Sequence, residues 1–117
     1  MDFDQTGTEE RIARERDETA QLVRALTGEL DEIIESMSLA NNDDEHDPDG
    51  ATNGYERAKA TAMLRHAQQR LLELERAGDR LRDGTYGRCG RCGAEIGAER
   101  LDALPTTTRC VTCAASG

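Results

Sequence analysis

Two stretches of this chain carry seam residues at an average spacing of 3.5, and a polar stretch separates them. In the first, Thr19, Val23, Leu26, Leu30, Ile33 and Met37 step by 4, 3, 4, 3 and 4. In the second, Leu64, Ala67, Leu71, Leu74, Gly78 and Leu81 step by 3, 4, 3, 4 and 3. A 3.5-residue period is the seam of a coiled coil, not the alternation of a strand. Leu22, Ile34 and Leu39 widen the first stripe. Gly78 on the second allows close packing or a bend.

No Pro falls between residues 9 and 40, where a first helix is expected. Thr6 with Glu9 forms a potential capping box, and Thr8 is an equally good cap. Asn, Asp, Pro and Gly fill 41–53, and each favours a turn. A second helix is expected from Asn53, with Glu56 as capping partner, to Asp83, with Gly84 as the C′ residue. Each arm is then roughly 45 Å long at 1.5 Å per residue. Arms of equal length joined by a short loop predict an antiparallel hairpin within one chain, hence a monomer; the competing arrangement pairs helices between chains. Tyr55 is expected to pack at the start of the second helix, and Tyr86 beside the knuckle formed by Cys89 and Cys92.

The formal net charge of −9 is an average. Residues 1–53 hold 16 acids and 4 bases, a balance of −12; residues 54–83 are +2 and residues 84–117 are +1. The acids are densest at Asp43, Asp44, Glu45, Asp47 and Asp49, around His46 and Pro48. The hairpin places this cluster at its tip. Overall acidity argues against binding nucleic acid through its phosphates and against docking on an anionic membrane. No apolar run approaches the ~20 residues of a membrane span, and a cytoplasmic protein is expected. With 36% hydrophobic residues and three aromatic side chains, a large core or an aromatic-walled cleft is not expected.

The remaining motif is Cys89-x2-Cys92-x17-Cys110-x2-Cys113. Two CxxC pairs at this separation form a zinc signature, because each pair turns two thiolates to one side and the intervening chain completes a tetrahedron. Gly90 and Gly93 are expected to relieve strain in the first knuckle, while the second has no glycine. Four thiolates saturate the ion and leave no position for water or substrate, so one structural Zn²⁺ is expected. Residues 84–117 have few large apolar side chains, and metal ligation must supply much of their folding energy. The expected layout is therefore mainly α: an antiparallel two-helix coiled-coil hairpin over 1–83, with an acidic tip loop at 41–53, followed by a small four-cysteine zinc finger over 84–117. On this layout a chelator unfolds 84–117 and leaves most of the hairpin helical.

The run Gly84-Thr85-Tyr86-Gly87-Arg88-Cys89-Gly90-Arg91-Cys92-Gly93 resembles the start of the DksA/TraR zinc finger. So do Glu95-Ile96-Gly97, Arg100 to Pro105, and Thr107 with Cys110. This covers about a quarter of the chain. The resemblance implies a regulator of bacterial RNA polymerase that docks at the rim of the secondary channel and inserts its coiled coil toward the catalytic Mg²⁺. It implies an acidic tip as the acting element and no reading of DNA sequence. The family's DxxDxA pattern falls on Asp44 and Asp47 with Asp49 at the Ala position, or, with one gap, on Asp47 through Ala51. Both registers stay open. Nothing here matches the family's ppGpp contacts, so ppGpp is left open as a partner. Arg70, Arg76, Arg80 and Arg82 either meet the channel rim or pair with acids of the first helix. The alternatives are a zinc-ribbon DNA binder, which lacks a basic face here, and a thiol redox sensor built on the same four cysteines. An enzyme is not expected: no nucleophile–base pair or phosphate loop accompanies the carboxylates.

Overall fold

The computed structural model of the chain describes residues 4–43 and 50–116, with side chains over 4–39 and 53–116. Four helices follow in order: α1 (Gln5–Asp43), α2 (Gly50–Asp83), α3 (Ala98–Ala103) and α4 (Val111–Ala115). No strand occurs among the described residues; one isolated antiparallel bridge joins Arg88 and Glu95.

The 3.5-residue seams are the buried faces of α1 and α2. On α1, Leu26 is buried, and Thr19, Val23, Leu30, Ile33 and Met37 are half-buried. On α2, Ala67, Leu74 and Leu81 are buried, with Leu64, Leu71 and Gly78 half-buried between them. The seam also starts earlier than the sequence reading has it. Ile12, one heptad before Thr19, is only 3% exposed, and Ala60 extends the α2 series by one step. The helices run antiparallel. Ile12 shares a core with Leu74, Ala77 and Leu81, whereas Glu29 and Ile33 line a cavity with Glu56, Lys59, Ala60 and Met63.

The helix ends differ from those expected. α1 starts at Gln5, before either threonine cap. Asp4 precedes it, with its carbonyl accepting the Thr8 N–H at 2.9 Å and its carboxylate against Gly7. Aspartate caps a helix as well as threonine does, which is why both threonines fall inside the first turns. α1 reaches Asp43 and α2 begins at Gly50, so Asn53 lies within α2. Asn and Gly disfavour helix by only about 0.5–1 kcal/mol each, less than neighbouring turns can offset. The far end of α2 closes as expected. Gly84 takes φ +78, and the Thr85 N–H bonds the Arg80 carbonyl at 2.9 Å, the long bond of a Schellman cap.

Three packing expectations are corrected. Leu22, Ile34 and Leu39 do not widen a buried stripe, being 49%, 41% and 61% exposed. A single partner helix covers one narrow seam and leaves its flanks in water. Tyr55 is 70% exposed instead of packed, because α2 begins five residues before it. Gly78 is not a close-packing position: a Cβ placed there meets nothing within 4 Å. Gly78→Ala should therefore raise stability by about 0.5–1 kcal/mol through helix propensity alone. Urea denaturation checks this, and a lowered midpoint would restore the close-packing role.

The chain forms two compact units: residues 18–71, and residues 1–17 together with 72–117. The boundary at 83/84 marks where α2 stops, not where packing stops.

Candidate metal centre

The first cysteine pair sits on a tight reversal after α2. The Ile96 N–H bonds the Gly87 carbonyl and the Cys89 N–H bonds the Ala94 carbonyl, both at 2.8 Å, which frames a short antiparallel turn. Inside it the Gly93 N–H returns to the Cys89 carbonyl at 2.9 Å, with Gly93 at φ +79, a conformation that side chains resist. Gly93 thus relieves the knuckle as expected. Gly90 acts differently: its φ is not left-handed, and its N–H bonds the Thr108 carbonyl at 2.8 Å, joining the first pair to the chain leading to the second.

The second pair needs no glycine because it lies on the first turn of a helix. Cys110 is the N-cap of α4, and its Sγ accepts the Cys113 N–H at 3.5 Å. Cysteine is outside the usual capping set, so this helix start carries little sequence signal.

All four Sγ atoms lie within 4.8 Å of one another. Cys92 Sγ and Cys110 Sγ are 3.7 Å apart. A tetrahedron with Zn–S bonds of about 2.3 Å needs sulfurs about 3.8 Å apart, so the donor set fits Zn²⁺ in type, number and spacing. Cys89, Cys110 and Cys113 are buried and Cys92 is exposed. Backbone N–H groups, first that of Cys110 and then that of Cys92, pull the Cys89 thiol down to about 5. The Cys113 N–H lowers Cys110 likewise. A hydrogen bond from its thiol to Cys110, together with burial, pushes Cys113 up to about 12. Four negative sulfurs cannot coexist this closely without a cation, so taking up the metal expels the remaining protons.

Around the sulfurs, Tyr86 is buried as expected, and its hydroxyl donates to the Pro105 carbonyl at 2.8 Å. Burial raises its pKa against the opposing influence of Arg11 and Arg80.

Residues 84–116 match the prokaryotic dksA/traR C4-type zinc finger. The finger is thus of the DksA/TraR type. Its four close cysteines can hold one metal ion, as a C4-type finger holds a structural zinc. General stress protein 16O of Bacillus subtilis (strain 168) is 37% identical over 87 residues, 70% of this chain and 53% of that protein. The RNA polymerase-binding transcription factor DksA of Escherichia coli (strain K12) is 26% identical over 86 residues, 71% of this chain and 57% of that protein. The chain spans about half the length of these curated relatives. The solved structure of transcription factor DksA2 from Pseudomonas aeruginosa superimposes with a TM-score of 0.79 at 25% identity, covering 96% of this chain and 81% of that one.

Asp44, Glu45, His46, Asp47 and Asp49 lie outside the described residues, as does the side chain of Asp43, the last residue of α1. Arg70 falls in the 18–71 unit, whereas Arg76, Arg80 and Arg82 fall in the other. Arg80 is half-buried and donates to the Thr106 carbonyl at 3.3 Å, and burial lowers its pKa. Arg82 pairs with Asp79 on its own helix, and Arg76 is exposed. Arg11 is a tether the sequence reading missed: it bonds Glu15 at 2.9 Å and the Asp102 carbonyl at 2.9 Å. A helix arginine has no local signal for a partner 91 residues away.

Proposed function

We propose that this protein regulates transcription by binding bacterial RNA polymerase at the secondary channel and directing its acidic tip toward the active centre. The carrying observation is the likeness to a transcription-factor structure along nearly the whole chain, from hairpin to finger. The E. coli relative is itself an RNA polymerase-binding transcription factor. Charge supports the division of labour. Residues 1–53 concentrate the acidity, and five acids fall within 43–49, between the ends of α1 and α2. A like-charge cluster resists burial and suits a cavity that holds cations.

On this reading the protein acts as a cytoplasmic monomer, without chemistry of its own and without reading DNA. Among the described residues no helix is long and apolar enough to cross a membrane. Arg76 and Arg82, both exposed, are the better rim contacts, because Arg80 already serves the finger.

The test compares wild-type protein with Asp44→Asn/Asp47→Asn in a core-polymerase pull-down and in run-off transcription from a sensitive promoter, with and without ppGpp. Both proteins should be retained by polymerase, and the double variant should lose most of its effect on initiation. Failure of the wild-type protein to bind polymerase would refute the proposal.

A further inference from the structure

The zinc centre and the helix ends share one core. Ile12 of α1 and Leu74, Ala77 and Leu81 of α2 are buried in the same cluster as Tyr86, Ile96, Leu101, Cys89, Cys110 and Cys113. The segment that connects the cysteine pairs is held from outside itself. After α3 it has no regular structure until α4 begins at Val111. Four side chains grip its carbonyls: Arg11 at Asp102, Tyr86 at Pro105, Arg80 at Thr106 and Arg100 at Arg109. Two of these donors stand on the long helices and one on α3. The segment ends at Cys110, so its course is fixed by the metal at one end and by the helices along its length.

The first turns of α1 carry few apolar anchors. Residues 5–17 contain only Ile12 and Ala13 as apolar side chains. Ile12 is buried in the shared cluster, and Arg11 is bonded to Asp102. A helical segment this short, polar on most sides, is marginal in water without tertiary partners.

We propose that zinc occupancy controls the docking of the first turns of α1: when the metal leaves, residues 5–17 come loose together with the finger. Residues 18–39 and 53–71, which belong to the other compact unit, keep their structure. The finger is thus more than an appended stabiliser. It is a metal-dependent clamp on the start of the first helix, with Arg11 as its handle. The inference rests on the four cysteines being a zinc site and is independent of any role at polymerase.

Amide hydrogen exchange on the full chain, zinc-loaded and after chelation, tests it. Exchange over 5–17 should rise at least ~10-fold on chelation, with far smaller changes over 18–39 and 53–71, because local unfolding units exchange together. Unchanged protection over 5–17, or equal loss over the whole chain, would overturn the proposal. Coupling is reciprocal, so a second arm starts from the helix. Arg11→Met keeps a good helix former and removes the donor. It should speed zinc release to a chromophoric chelator several-fold, whereas Thr27→Ala, on the other unit, should not. Release from Arg11→Met at the wild-type rate would refute Arg11 as the link.

Discussion

Cys110→Ser should abolish stoichiometric zinc binding and unfold the finger. The substitution isolates the metal from the helix it starts. Serine is a good N-cap, so α4 keeps an acceptor for the Cys113 N–H, which Cys110 Sγ now takes at 3.5 Å. Serine is a poor zinc ligand, and three thiolates remain. The penalty should exceed the ~10–100-fold that loss of an outer-sphere partner costs in metal affinity. Structural zinc contributes about 10–16 kcal/mol of apparent binding free energy in small finger peptides, and 84–116 has few large apolar side chains of its own. Zinc per chain, measured by atomic absorption after dialysis, should fall from one toward zero, and near-ultraviolet signal from Tyr86 should collapse. One tightly held zinc per chain in the variant would show that Cys110 is not a ligand.

The second large effect is expected at Leu74. This side chain is 0% exposed and sits in the core that both helices share with the finger. Leu74→Ala removes most of its contacts and leaves a cavity between elements that the zinc ties down, so the site has little freedom to collapse. The cost should be about 2–5 kcal/mol, a large part of the 5–15 kcal/mol typical of a whole domain. Leu72, two residues away, is 39% exposed and supplies the control. Leu72→Ala should cost less than about 1 kcal/mol, as surface truncations do. Both are read from urea denaturation with zinc saturating. Equal losses at the two positions would mean that the α2 seam is misassigned.

That contrast also measures how far the sequence can be read. The seams are legible because burial against one partner helix imposes a single period, and Leu26, Ala67, Leu74 and Leu81 obey it. Ile12 obeys it too, but Arg16 interrupts the series before Thr19, so the earliest and most buried member of α1 escapes notice. Leu22, Ile34 and Leu39 mislead for the opposite reason. Apolarity names a candidate for burial, and only the number of neighbouring elements decides whether burial occurs. The clustering of the four cysteines is legible from spacing alone, since a shared metal fixes such a spacing. The means of presenting them is only half legible: Gly93 signals a left-handed turn, but Cys110 as a helix cap carries no familiar mark. The grip of Arg11, Arg80 and Tyr86 on the carbonyls of 102–106 leaves no trace in sequence, because a carbonyl acceptor is the same at every residue.

The division into two units has a consequence for chain entropy. Residues 18–71 form a compact unit within one stretch of chain, whereas the Arg11–Asp102 bond spans 91 positions. Closing a loop of that length from a disordered chain is entropically unfavourable, and the cost grows with the logarithm of the number of free residues. Once 18–71 has closed on itself, those residues no longer count as free chain, and the loop that remains is much shorter. The central hairpin therefore lowers the entropic cost of the most distant contacts in the protein, and the zinc unit inherits an already shortened path.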